Sequence, residues 1–275
     1  MKPAAFDYVR PESLADAVAL LSRSDGGAKV CGGSQSLGPM LNLRLAQVHS
    51  LVDLSRLDEM RRFDLRDDVL RIGGAVTHAR LEDGDYPDVT RGLLPAVAAN
   101  IAYRAVRNRG TLGGSLAHAD PAADWVSTMC LLDAAIVLVG PKGERRVRAT
   151  AFFVGPFTTV FEIDEVVAAV EIPRFSSTAR WAYRKVCRKP GEFADAIGAV
   201  WVDPAHGVAR ALMGSLDSMP FVVEGVDALA ALRQPGGLAR MLDDAGVTEP
   251  YEREVHAAML RRALADVERP FDTSG

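Results

Sequence analysis

The sequence predicts an α+β protein of three consecutive units, and three observations predict it. Over residues 1–55 short strand-like runs alternate with an amphipathic helix. Residues 56–175 interleave apolar, β-branched runs with helical stretches. Over residues 176–275 three strand-like runs come first and three helical stretches follow. With 275 residues, 48% hydrophobic and 25% charged, the chain is long enough for roughly two domains and a sizeable core.

In the first unit Ser13 is placed as an N-cap. Leu14, Ala17, Val18 and Leu21 then recur at helical spacing on the inner face of the helix it starts. Residues 28–31 read as a buried strand running straight into Gly32-Gly33, and residues 49–54 as another strand. Their brevity and the crossover helix predict parallel pairing.

In the second unit residues 69–72 form a strand that ends in the Gly73-Gly74 turn. A helix is expected over 92–102 and another over 121–132. Asp120 is its N-cap and Pro121 lies in its first turn, where a missing N–H is harmless. Strands follow at 134–139, 145–149 and 165–172, bounded by Gly140-Pro141 and Pro173. The linker Arg174-Phe175-Ser176-Ser177-Thr178 leads into the third unit. Its strands read as 181–186, 196–202 and 208–213, and its helices as 226–232, 238–245 and 251–267. In the last helix Val255, Met259 and Ala263 share one face while Arg253, Arg261 and Arg262 lie away from it, which is core packing on one side and solvent on the other.

Two glycine-bearing segments carry the functional signal. The first is Lys29-Val30-Cys31-Gly32-Gly33-Ser34-Gln35-Ser36-Leu37. The second is Arg107-Asn108-Arg109-Gly110-Thr111-Leu112-Gly113-Gly114-Ser115-Leu116-Ala117-His118-Ala119-Asp120-Pro121. Glycine lacks a Cβ, so it accepts positive φ and lets backbone N–H groups face an anion; Ser and Thr add short donors without filling the space. A dinucleotide pyrophosphate held between two such turns is the ligand this chemistry fits. Neither segment is a standard fingerprint. No G-x-G-x-x-G opens a helix after a strand, which counts against a Rossmann site for NAD. Gly27 and Gly32 have Walker spacing, but Gly33-Ser34 stands where a P-loop needs Lys-Ser/Thr.

Composition narrows the field further. A net charge of −4 gives no reason to expect nucleic acid or an anionic membrane surface as partner. Basic residues do gather at 104–109 and 180–189, beside the proposed ligand segments, where they are read as serving phosphate or a partner subunit. Cys31, Cys130 and Cys187 are far apart and odd in number, against both a disulfide framework and a C-x-x-C site. His49, His78, His118, His206 and His256 form no pair at ligand spacing, so the chain is expected to carry no metal. An N-terminus without an apolar signal region and no 18-residue apolar run lead to an expectation of a cytoplasmic protein with no membrane span.

The two segments also carry a family likeness. Cys31 to Leu37 resembles the A-G-G-x-S-L turn of the FAD-binding subunits of molybdenum hydroxylases, with Cys31 where alanine is usual. The second segment, continued through Ala122-Ala123-Asp124, resembles that family's second FAD motif nearly residue for residue. The family includes the medium subunit of carbon monoxide dehydrogenase and the flavin domain of xanthine dehydrogenase, and the likeness runs from Phe6 to about residue 268. It implies a two-part PCMH-type FAD-binding domain at 1–175, with a small α/β subdomain (1–55) and a mixed or antiparallel sheet subdomain (56–175). A carbon monoxide dehydrogenase flavoprotein-like C-terminal domain at 176–275, an antiparallel sheet with a helical bundle, is implied to follow.

The resemblance places Lys29, Val30, Cys31, Gly32, Gly33, Ser34, Gln35, Ser36 and Leu37 on the pyrophosphate and adjoining atoms, with Thr111, Gly113, Gly114 and Ser115 opposite. Asp124 matches a position that contacts the cofactor, where a carboxylate can accept from ribose or ribitol hydroxyls. Asp120 is read either as a ligand or as a helix cap, and His118 as a buried, satisfied histidine within the same motif. Ile101 and Val167 match apolar positions near the cofactor rings or are plain core residues. Ala182-Tyr183-Arg184-Lys185 resembles a strand that reaches over the flavin, where Tyr183 can stack and a cation can stabilise the anionic reduced ring. Arg184 and Lys185 compete for that role, since neighbours on a strand face opposite sides.

The function so implied is an FAD-binding electron-transfer subunit of a multi-subunit molybdenum hydroxylase. A large partner carries the molybdenum cofactor, a small partner carries [2Fe-2S] clusters, and the assembly is a dimer of heterotrimers. No residue of this chain is assigned a catalytic role. Two alternatives are a self-sufficient flavin oxidoreductase of the same fold and a scaffold that has lost its cofactor.

Overall fold

The structure, a computed structural model, describes residues 2–269. Its first layer is a parallel sheet of β1 (Asp7–Val9), β2 (Ala28–Cys31) and β3 (Ser50–Asp53), in the order β1-β3-β2. Helix α1 (Leu14–Arg23) makes the crossover, and α2 (Leu37–Asn42) follows the first glycine pair. The Ser13 hydroxyl accepts from the Asp16 amide at 3.1 Å, satisfying a donor that the first turn of α1 leaves open. Ala17, Val18 and Leu21 are buried, as their spacing requires.

The second layer is an antiparallel sheet in the order β4-β5-β10-β6-β7. Its strands are β4 (Phe63–Arg66), β5 (Val69–Gly73), β6 (Ala135–Gly140), β7 (Gly143–Arg148) and β10 (Val166–Pro173). Helices α3 (His78–Asp83), α4 (Leu93–Ala99), α5 (Arg104–Arg107), α6 (Leu112–His118) and α7 (Asp124–Leu132) connect β5 to β6. The short α8 (Ala149–Phe152) leads into the small hairpin of β8 (Phe153–Gly155) and β9 (Thr158–Thr159).

The third layer is antiparallel, in the order β11 (Arg180–Val186), β12 (Ala196–Asp203), β13 (Val208–Gly214), β14 (Phe221–Glu224). Helices α9 (Val226–Leu232), α10 (Gly237–Asp244) and α11 (Pro250–Asp266) follow it. Alternation along these strands divides them between two cores. Ile197, Ala199, Trp201 and Leu212 join the core built around α7, with Trp181 and Tyr183 packed against it. Ala182, Val200, Ala211 and Met213 join Leu260 and Leu264 of α11 in the other core.

Two expectations near the second glycine pair are corrected. Residues 112–118, read as a turn, form α6, with the Thr111 hydroxyl accepting from the Gly114 amide at 3.2 Å as its N-cap. The following helix starts at Asp124 rather than Pro121, with Ala123 in the N-cap position. Asp120 caps the preceding turn instead, its side chain accepting from the Ala122 amide and its carbonyl from the Ala123 amide.

The reason for the paired glycines also differs from the expected one. Gly32, Gly33, Gly113 and Gly114 are all outside the left-handed region; the left-handed residue of the first bend is Ser34, at φ 56°. Space is what demands glycine. A Cβ on Gly33 would lie 1.8 Å from the Arg109 carbonyl oxygen, and one on Gly113 would lie 2.7 Å from the Gly74 carbonyl oxygen. Gly74, expected to be a simple strand-end turn, is thus the crossing point of β5 and α6, with the Gly113 amide donating to its carbonyl at 2.9 Å. The two bends are welded backbone to backbone.

Gly33→Ala is therefore expected to destabilise the protein by roughly 3 kcal/mol, because the atom it meets is main chain and cannot swing away. Gly84→Ala is the control: Gly84 sits at φ +69° with nothing within 4 Å of a Cβ, leaving backbone strain of about 1 kcal/mol. Urea unfolding of both variants checks the contrast.

Candidate functional site: two glycine bends and a buried helix-to-strand ion pair

β2 delivers Cys31 to the C-terminal edge of the parallel sheet, where Cys31 pairs with Asp53 of β3 and the chain turns through the first bend. Open parallel sheets hold ligands at that edge. Gly33 and Cys31 are buried, Gly32, Ser34, Ser36 and Leu37 are half-buried, and Gln35 is exposed and donates to the Gly33 carbonyl at 3.0 Å. Lys29 is exposed and Val30 half-buried on β2. Burial, helped by the nearby Asp53 carboxylate, pushes the Cys31 thiol up to about 11, so the sulfur stays protonated rather than readily oxidisable.

The second bend meets the first directly. A Cβ on Gly32 would lie 2.7 Å from the Thr111 hydroxyl, which is itself buried while capping α6. Gly114 is exposed and Ser115 half-buried, so small donors of both bends are at least partly open to solvent. His118 is half-buried, its ring 5.2 Å from that of Phe157, and not the buried histidine expected. Beneath the second bend lies His78 of α3, whose amide donates to the Gly110 carbonyl at 2.9 Å. Its Nδ1 accepts from the Trp125 indole at 3.0 Å, which puts the ring proton on Nε2. Burial, with Arg107 nearby, holds this imidazole down at about 4.

Side chains of β11 meet the start of α7. Tyr183 donates its hydroxyl to Asp124 at 2.9 Å, and Lys185 donates to the other Asp124 oxygen at 2.8 Å. Lys185 and Asp124 side chains are 8% and 4% exposed, so the pair is dry. Burial raises the Asp124 carboxyl, opposed by the Lys185 charge; burial next to Asp124 also pushes the Tyr183 phenol well up. Arg184, on the opposite side of β11, pairs with Asp266 of α11. The alternation along β11 is visible in these contacts: Tyr183 and Lys185 turn toward Asp124 of α7, and Arg184 turns toward α11. Asp124, expected to meet cofactor hydroxyls, has both carboxylate oxygens engaged by protein donors.

Of the two apolar positions, Ile101 is half-buried just beyond α4. Val167 is 6% exposed within the large core, and its carbonyl lies under Gly74. Reasoning from the sequence missed His78, Trp125, Glu82 and Arg107; only Arg107 had a signal, its place in the basic run at 104–109. Among the described residues no group of three His, Cys, Asp or Glu could hold a metal, and no helix is long and apolar enough to cross a membrane.

Two side-chain-free bends in backbone contact, with small hydroxyls on both, are the kind of arrangement that suits an anionic group. Comparison with known proteins identifies the family. Residues 4–175 match the family described as the FAD binding domain in molybdopterin dehydrogenase. The chain is similar to the carbon monoxide dehydrogenase medium chain of Hydrogenophaga pseudoflava, at 35% identity over 94% of this chain and 88% of that one. It is also similar to the nicotine 6-hydroxylase medium subunit of Paenarthrobacter nicotinovorans, at 33% identity over 94% and 92%. Among solved structures, carbon monoxide dehydrogenase from H. pseudoflava lacking the Mo-pyranopterin moiety superposes with a TM-score of 0.87 at 32% identity, covering 97% of this chain and 98% of that one. Quinoline 2-oxidoreductase from Pseudomonas putida 86 gives 0.85 at 30% identity, covering 97% and 98%. The chain belongs to the FAD-binding family of molybdopterin dehydrogenases. It is an FAD-carrying subunit of an oxidoreductase.

Two predictions follow from the buried groups. Because His78 is held near 4 when folded and titrates near 6.5 when unfolded, the unfolded chain binds its proton first as pH falls. Stability should be full above 6.5 and drop by up to about 3 kcal/mol toward pH 4, at ~1.4 kcal/mol per unit. His78→Gln should flatten that slope in urea unfolding across the range, leaving the contributions of His256, which burial shifts the same way, and of Glu82, Glu165 and Glu171, which hydrogen-bonded arginines hold low. Lys185→Met should cost about 3–5 kcal/mol by stranding the Asp124 charge, and adding Asp124→Asn should recover much of it in a double-mutant cycle.

Proposed function

We propose that the chain holds FAD with its pyrophosphate between Gly32–Ser36 and Thr111–Ser115, and with Ile101, Tyr183 and Lys185 on the flavin side. Bound there, FAD supplies the ability to accept electrons one at a time and to release them singly or in pairs. The contact of Gly33 with Arg109 carries this reading, since it makes one cleft of two segments far apart in sequence. Residues of the chain do the rest by binding and orientation. Ser34, Ser36 and Ser115 offer hydroxyl donors to the anionic bridge, joined by backbone amides of both bends. Lys185, anchored on Asp124, places a positive charge where a reduced, anionic ring gains from it. Asp124 itself acts through Tyr183 and Lys185.

The reaction partners follow the family. Electrons arrive from [2Fe-2S] clusters on a small subunit, after substrate oxidation at the molybdenum cofactor of a large subunit, and leave to an external acceptor. The relatives named above are medium chains or subunits, which favours this reading over a self-sufficient oxidoreductase. The domain division is 1–175 for FAD binding, with parts 1–55 and 56–175, and 176–275 for the C-terminal domain. The assembly is a dimer of heterotrimers in the cytoplasm.

Purified full chain should be yellow and release FAD on denaturation, and Ser115→Ala should weaken FAD binding about tenfold, the worth of one hydrogen bond to a charged group. Native mass spectrometry of the complex should recover large and small partners with their cofactors. A chain that purifies colourless and takes up no added FAD contradicts the reading.

A further inference from the structure

The segment linking α4 to α5 is held by cations from two sides. Lys185 donates to the carbonyl of Asn100 at 3.3 Å. Nη1 of Arg107 donates to the next two carbonyls, Ile101 at 2.9 Å and Ala102 at 2.8 Å. The rest of that guanidinium is fixed: its Nε and Nη2 grip the two oxygens of Glu82, on α3, at 2.7 Å each. Arg107 is 11% exposed and Glu82 20%, so the fork is largely shielded from solvent. Three successive carbonyls at the end of a helix thus accept from two positive charges, the sign that a helix C-terminus favours.

The same segment is clamped from the third sheet. Gly191, between β11 and β12, sits at φ +86°, and a Cβ there would lie 2.7 Å from the Ala102 carbonyl oxygen. Ala102 is itself left-handed, at φ 44°. A strained residue persists only where its surroundings over-determine it, and here they come from α3, α5 and the β11–β12 loop.

We propose that Arg107 and Glu82 are positioning residues of the flavin site. They fix the Asn100–Ala102 segment, and Ile101 with it, as one wall of the slot, while Lys185 secures the same wall from β11. FAD affinity then depends on an ion pair that does not touch the cofactor. The inference rests on the reading of Ile101 and Lys185 as flanking the flavin. Geometry makes the fork irreplaceable by charge alone: a lysine at 107 cannot reach two carbonyls and grip a carboxylate in one plane.

Three variants of the deflavinated full chain test this, titrated with FAD by flavin fluorescence and read by visible circular dichroism once loaded. Arg107→Lys and Glu82→Gln should each raise the FAD dissociation constant about tenfold and alter the circular dichroism of the bound flavin. Arg104→Lys should change neither, because Arg104 shares Glu82 and Asp83 but donates to none of the three carbonyls. If Arg107→Lys does not fold, Glu82→Gln carries the test. Normal affinity and an unaltered flavin spectrum in Glu82→Gln overturn the proposal, even if the thermal midpoint of the apo-protein falls. Ser115→Ala run in parallel separates the two readings. If it weakens FAD while Glu82→Gln does not, the wall fails and the cradle stands; if it has no effect, the cradle itself fails.

Discussion

Main chain resting on main chain is the constraint from which the site follows. Gly33 lies against Arg109, and Gly113 against Gly74, at separations that leave no volume for a methyl group. Close-packed backbone cannot slide or re-rotamerise as side chains do, so the spacing of the two bends is a fixed property of the fold. The hydroxyls of Ser34, Ser36 and Ser115 consequently stand on rigid supports. Donors that are already in place cost little ordering entropy when they meet an anion.

Helix α7 transmits that rigidity to the rest of the chain. All nine of its residues are buried, from Asp124 to Leu132. Trp125 touches His78 beneath the second bend, while Asp124 meets Tyr183 and Lys185 of the third sheet. A dry ion pair of this kind adds little net stability, since desolvation offsets most of its attraction. Its geometric demand matters more, because only one docking of β11 on α7 satisfies both donors at once. The helix is therefore common ground between the second glycine bend and the C-terminal sheet.

Much of the architecture was legible in the sequence, and the exceptions have physical causes. Ser13 announced α1, and the apolar run at 196–202 announced a strand, which the structure shows buried along nearly its whole length. Helix α6 was hidden because Gly113 and Gly114 are poor helix formers; Thr111, an N-cap residue, was the clue against them. Pro121 suggested a helix start three residues too early, because Asp120 favours a turn as readily as a cap. In the site, the bends were legible as close approaches to something, but their nearest neighbours are each other. Arg107 could not be singled out among five other residues at 104–109, because its partner Glu82 lies 25 positions away and only tertiary structure joins them.

Cys31 has a consequence for the working life of such a subunit. Peroxide and similar oxidants attack thiolates, not thiols. With its pKa pushed to about 11, the fraction of Cys31 ionised at neutral pH is about one part in 10,000. The sulfur at the head of the first bend is chemically quiet, so stray oxidants have no easy foothold on that loop.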